Sequence, residues 1–271
     1  MKYKIKSKSN NSNVNPQSSN KKRKIRKLIS IKSKKINKKE EDTSYTNKIT
    51  IKVDIKEKDI NKKVYLLCSN NTDIEEETNN YIRKQIKKNN IKIYFNEINS
   101  ENTIKKNYNI FQKKGEYNFK IKFNLKITKG FSLFSGCENI IYIDFSNFNT
   151  SLISNFSYMF LNCYNLKYLD LTSFDTSKMT KMNFMFYGCE NLQEIKINSF
   201  DTKNVTDARG MFGYCKNLVN LNISNFNFKN LKNMEDMFKG CDNLENIIVS
   251  EHLFNQIGDI LKKYSVTIIY T

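Results

Sequence analysis

The chain has no tryptophan, a single proline, a single histidine and only eight glycines in 271 residues. Each scarcity removes a class of chemistry. His252, near the C-terminal end, is the one imidazole available, so a Cys-His or Ser-His nucleophilic site would rest on that single residue. No glycine-rich loop of the kind that cradles phosphates occurs. The six cysteines include no C-x-x-C pair, the close spacing that structural metal sites use. No apolar run approaches the roughly 18 residues that a membrane-spanning helix needs. Acidic residues are missing from the first 39 positions, which carry 15 Lys and Arg.

That last absence resolves the charge. The net charge of +19 suggests nucleic acid, but 31 basic residues face 27 acidic ones after Lys39, an ordinary surface balance. Residues 1–46, rich in Lys, Asn and Ser, are too polar to repay the entropy of ordering and read as a disordered basic arm. Within it Lys21, Lys22, Arg23, Lys24, Arg26 and Lys27 form a cluster that suits a nuclear localisation signal, a phosphate backbone or an anionic lipid surface. A solvating tail enriched in Lys by codon bias is the competing reading. The first residues lack the uninterrupted apolar core of a secretory signal. Taken at face value, the chain is soluble and intracellular, with reduced thiols.

What the chain has is a repeat. Cys137, Cys163, Cys189, Cys215 and Cys241 follow one another at intervals of 26 residues, each preceded by Met-Phe or Leu-Phe and followed by Asn-Leu or Asn-Ile. A fixed period of this size marks units that cannot bury an apolar face alone and stack on their neighbours. In the second unit Leu166, Leu169 and Leu171 have the spacing of a short strand, with Tyr168 and Asp170 pointing outward. Asp175-Thr176-Ser177 offers oxygens for a turn, and Thr180 is placed to cap a short helical or 3-10 turn carrying Met182, Met185 and Phe186 inward.

The unit M-F-x-x-C-x-N-L-x-x-L-D-L-x-x-F-D-T-S-x-M-T-x-M, read from Met159 to Met182, resembles the 26-residue repeat of the BspA-like leucine-rich repeat family of bacterial surface proteins and protists. The resemblance covers roughly residues 131–250. Lys196 and Asn222 stand where the pattern has Asp, Ala208 replaces a Met, and Phe228-Lys229 replaces Thr-Ser. It implies a leucine-rich-repeat-like solenoid and a binding or adhesive role, with no catalytic residues to carry over.

Before the repeats, Ile49, Ile51, Val53 and Ile55 alternate with polar residues as in a half-buried strand. Val64–Cys68 reads as a strand paired with it, Asp73–Lys88 as a helix and Ile91–Ile98 as a strand. Tyr117 to Ile127 gives the cleanest alternation in the chain. The expected organisation is therefore a disordered basic arm (1–46), a small α+β N-terminal cap (47–128), five coils of 26 residues (129–250) and a C-terminal cap (251–271). The expected fold class is an α+β leucine-rich-repeat-like solenoid, a parallel β stack with short helical or 3-10 turns.

The cysteine series reads as a core ladder, since one small sulfur per coil suits a buried slot better than a metal site. The Met series, Met159 to Met237, reads as core by the same periodicity. No enzymatic activity, cofactor or metal is expected. Function falls to the surface, where outward columns present Tyr142, Tyr168, Glu194 and Asn220 beside Asp144, Asp170, Lys196 and Asn222. The tyrosine–aspartate pairs of the first two units are the expected hot spot for a protein partner, because aromatics dominate interface energies. The chain is expected to act as a monomeric protein-interaction module. The alternatives are a surface or secreted adhesin, and a scaffold tethered to nucleic acid or anionic membrane by its arm.

Overall fold

The computed structural model describes residues 47–69, 73–96 and 103–271. By its contacts the chain divides into Met1–Ser44 and Tyr45–Thr271; the first of these, with the arm's basic cluster, lies outside the described residues. The alternating segment becomes β1 (Asn47–Ile55), followed by β2 (Lys63–Tyr65), α1 (Asp73–Lys87), β3 (Ile91–Phe95), β4 (Thr103–Ile104), β5 (Tyr108–Ile110) and β6 (Gly115–Phe123). Each repeat then contributes one short strand: β7 (Ile140–Asn147), β8 (Tyr168–Asp170), β9 (Glu194–Lys196), β10 (Asn220–Asn222) and β11 (Asn246–Val249). Helix α2 (Glu251–Leu261) and β12 (Thr267–Tyr270) end the chain.

The expected fold class is corrected here. Among the described residues the protein is mostly sheet, with two α-helices and four small sheets instead of one continuous parallel stack. The largest has the order β4-β3-β6-β1-β7 and its pairings are antiparallel. Strand β7, the first of the repeats, joins this sheet through β1, which therefore spans the boundary drawn at residue 128. Among the strands, parallel pairing is confined to β8 with β9 and to β10-β11-β12, and isolated parallel bridges link Asn155, Lys181, Asp207 and Asn233 in turn. The β8, β9 and β10 strands are three residues long because their outward positions hold Asp170, Glu194, Lys196, Asn220 and Asn222, types depleted in strands. Strand β2 pairs with β5, not with β1 as its sequence suggested.

The helical or 3-10 turns expected after each strand are also corrected. From Phe156 to Cys163 alternate N–H groups go to two destinations. Those of Phe156, Tyr158, Phe160 and Asn162 donate to Lys181, Asn183, Met185 and Tyr187 in the next repeat, at 2.8–3.1 Å. Those of Met159, Leu161 and Cys163 donate three residues back, to Phe156, Tyr158 and Phe160. A helix would direct every N–H the same way. Left-handed residues recur in register, at Ser132, Tyr158, Phe184, Gly210 and Asp236 and again at Gly136, Asn162, Gly188, Tyr214 and Gly240. Thr180 caps nothing: its hydroxyl donates to Ser154 O at 3.1 Å, one repeat away.

The same register organises the core. Phe134, Phe160, Phe186, Phe212 and Phe238 stack with centroids 5.4–5.8 Å apart and interplanar angles of 3–17°. Thr150, Thr176 and Thr202 are buried, and each hydroxyl bridges to the following repeat. Thr176 Oγ1 donates to Asp201 O at 3.2 Å and accepts from Asp201 N at 2.7 Å; Thr150 and Thr202 do the same to Asp175 and Asn227. A valine at this place keeps the shape and strands two buried polar groups, which costs about 1–3 kcal/mol. Thr176→Val is therefore expected to lower the urea midpoint with an unchanged m-value, and Thr176→Ser to restore most of the loss.

Candidate functional site

The outward columns are set by strand alternation. Ile143, Leu169, Ile195 and Leu221 are buried, so their neighbours on either side must point away from the core. The register pairs Tyr168 with Glu194 and Asp170 with Lys196, then Asn220 with Asn246 and Asn222 with Ile248. Tyr142 and Asp144 sit on β7 opposite Lys52 and Thr50 of β1.

The first two repeats enclose a concave site. A cavity of about 270 Å³ is lined by Tyr142, Asp144, Phe145, Ser146, Tyr168, Asp170, Thr172 and Ser173, together with Ile143. All four tyrosines and aspartates proposed for this face are thus brought together. Glu194, Lys196, Asn220 and Asn222 lie along the same columns but are not in its wall. Tyr142 is 42% exposed, while Tyr168 and Asp170 are half-buried.

The carboxylates are held by their own turns. Asp170 Oδ1 accepts from Thr172 Oγ1 at 2.6 Å and from Thr172 N at 3.0 Å, and Oδ2 accepts from Tyr168 Oη at 3.2 Å. The Thr172 hydroxyl first, then its N–H and Tyr168, hold Asp170 below the usual aspartate range. Asp144 Oδ1 accepts from Ser146 N at 2.9 Å. Lys196 places its ammonium 5.5 Å from the Tyr168 ring centroid and 4.0 Å from Glu194 Oε1. The wall therefore offers two anionic oxygen groups, two phenols and three further hydroxyls. It can orient a polar or cationic group, and no nucleophile–base pair is built into it.

Sequence reasoning missed Ser146, Thr172 and Ser173. For Ser146 and Thr172 the signal was available: a Ser or Thr two residues after an outward Asp is the local hydrogen-bonding pattern of such turns.

The cysteines lie inward, and the ladder has a bonding role beyond filling space. The thiols of Cys163, Cys189 and Cys215 each donate to the phenylalanine carbonyl 29 residues earlier at 3.2 Å, and that of Cys241 does so at 3.0 Å. Burial pushes Cys189 and Cys241 up to about 12 and Cys163 and Cys215 higher than the usual thiol range. Burial thus favours the protonated thiol, the weaker nucleophile, at neutral pH. Cys137 is buried at the head of the series. No group of three or more potential metal ligands occurs among the described residues. The Met series is buried as expected. His252 is exposed and its ring contacts Gln256 Nε2 at 3.1 Å, with the Gln256 carbonyl in turn accepting from Phe228 N at 2.8 Å. Lys21, Lys22, Arg23, Lys24, Arg26 and Lys27 lie outside the described residues. No helix among the described residues is long and apolar enough to cross a membrane.

The Asp170 turn yields a pH signature. A carboxyl whose folded pKa is depressed contributes stability that is present above the ordinary aspartate value of 3.8 and is lost as pH falls through the folded value. Asp170→Asn is expected to cost about 1 kcal/mol at neutral pH after solvent screening. The gap to the native chain should close below pH 3.8, as denaturation at matched pH would read.

No curated protein and no solved structure matches this chain. Residues 128–251, which hold the cysteine-centred repeats and amount to just under half of the chain, match the family described as Mycoplasma protein of unknown function, DUF285.

Proposed function

We propose that the protein is a non-catalytic protein-interaction module that takes its partner at the tyrosine–aspartate site of the first two repeats. The observation that carries this reading is the cavity formed by Tyr142, Asp144, Tyr168 and Asp170. It combines an exposed aromatic, the residue type that anchors interfaces, with carboxylates already fixed in place. The scarcity of nucleophile–base combinations supports a binding role over a catalytic one. The partner is a protein bearing a cationic side chain, since the Tyr168 ring already accepts the Lys196 ammonium at its face. The chain carries out this role as a monomer.

The test is affinity capture from source cells with the native chain and with Tyr168→Ala/Asp170→Lys, both checked for equal thermal unfolding. Partners retained by the native chain should be lost by the variant, with affinity lowered by at least about 2 kcal/mol. Unchanged capture by the folded variant would count against the site.

A second reading, a cell-surface or secreted adhesin, is supported by the likeness of Met159–Met182 to BspA-like repeats. Protease treatment of intact cells separates the two: cleavage of a tagged copy before lysis supports the adhesin, and protection until lysis removes it. In a third reading the arm tethers the protein to nucleic acid or anionic membrane. Deleting residues 1–46 should then abolish a strongly salt-dependent association while leaving capture at the tyrosine–aspartate site intact.

A further inference from the structure

The five-stranded sheet turns Ile49, Ile51, Ile93 and Ile121 into the core, and its opposite face carries lysines on three neighbouring strands, with Asp144 at the β7 edge. Lys92 of β3 lies opposite Lys122 of β6, and Lys122 lies opposite Lys48 of β1. Three lysines therefore share one row across neighbouring strands, whose backbones run about 4.8 Å apart. Lys120 stands in the adjoining row between Tyr94 and Thr50. Like charges directly opposite one another destabilise a sheet. Lys52, farther along, is relieved by Glu116 at 3.2 Å; none of the three in the row is ion-paired to a described residue.

At the β3 end the row opens into a second cavity, of about 580 Å³. Lys92 forms part of its wall with Lys87 from the end of α1 and Lys105 from just after β4, and Tyr94, Ile86, Asn89 and Thr103 complete the lining. No carboxylate is among the described residues of this wall. Tyr94 is 8% and Ile86 6% exposed, so the lining joins two buried, largely apolar side chains to three positive charges. The volume is that of a small-molecule site. Ammonium groups that meet no carboxylate among the described residues of a concave, partly apolar wall favour an anion that spreads its charge over several oxygens, which lysine binds as a point charge.

We propose that this cavity binds a phosphorylated small molecule or headgroup, with Lys87, Lys92 and Lys105 on the phosphate oxygens and Tyr94 and Ile86 against the organic part. The row of Lys122 and Lys48 raises the local positive potential and draws the anion toward the mouth. This site is separate from the tyrosine–aspartate site and does not depend on it.

The experiment is calorimetric titration of the full chain with inorganic pyrophosphate. It is repeated with Lys92→Glu, with Lys105→Glu and with Lys229→Glu, an exposed lysine on a repeat turn, as control. Lys105 is exposed, so its reversal keeps the test available if Lys92→Glu fails to fold. Saturable binding weakened about tenfold or more by each cavity substitution and unaffected by Lys229→Glu is expected. Sedimentation with phosphatidylcholine vesicles, with and without phosphatidylinositol phosphate, identifies the source. Phosphoinositide-dependent binding displaced by pyrophosphate assigns a lipid headgroup, and pyrophosphate binding without vesicle binding assigns a free ligand. Absence of saturable pyrophosphate binding, or binding indifferent to both cavity substitutions, overturns the proposal.

Discussion

The constraint on which the repeat region depends is that residue i must meet residue i+26. The alternating N–H groups of Phe156 to Asn162 make this a matter of backbone valence: four of the seven donors in that segment go to the next repeat. A slip by one residue would exchange the donors that look inward for those that look across, and would strand both sets. Side chains then have to tolerate a copy of their own position about one strand spacing away. Phenylalanine does so by stacking face to face. Cysteine and threonine do so by donating to the neighbouring backbone, and asparagine does so as well, with Asn191 Nδ2 on Tyr164 O at 2.8 Å. These residue types recur because each is self-compatible.

Charge is the property least compatible with this constraint, and the structure handles it case by case. Glu190 and Lys216, one repeat apart, pair at 2.9 Å. Asp175 and Asp201 are also one repeat apart and alike in sign. Each carboxylate nevertheless accepts a hydrogen bond within its own turn, from Ser177 N and from Lys203 N, which holds it in place and disperses its charge. Asp144 and Asp170 use the same device, so the acidic wall of the first cavity is a by-product of turn chemistry before it is a binding feature. The lysine row on the antiparallel sheet has no such local relief, because an ammonium has donors only and the strand carbonyls opposite are committed to the ladder.

Much of this was legible in the residues. The 26-residue register, the inward Leu, Met, Phe and Cys positions, and the tyrosine–aspartate columns follow from counting, because a periodic pattern reports which positions face the same way. The pairing of strands was not. Nothing in Ile140–Asn147 announces that it joins β1 in an antiparallel sheet, since pairing partners are chosen by tertiary packing and not by local pattern. The turn segment was misread for a related reason. Thr180 followed by Met182 and Met185 has helical spacing, but the left-handed residues at Phe184 and Gly188 rule out a helix, and only the glycine advertises its conformation. Gly210 shows the other side of that argument: a Cβ there would lie 2.5 Å from the Phe184 ring, so steric room as well as φ fixes that residue.

The lysine cavity was invisible for a different reason. Composition counts charge per chain, and after the arm is removed the balance of 31 bases against 24 acids looks only mildly basic. That average hides a segregation created by folding. Strand alternation sends Lys48, Lys92, Lys120 and Lys122 to one face of one sheet, which Asp144 shares only at the β7 edge, while Asp170, Asp175 and Asp201 lie in the later repeats. Two sites of opposite chemistry emerge toward opposite edges of the sheet, and the deciding variable is register: each lysine was readable as an outward strand residue, but that three of them share a row depends on which strands pair.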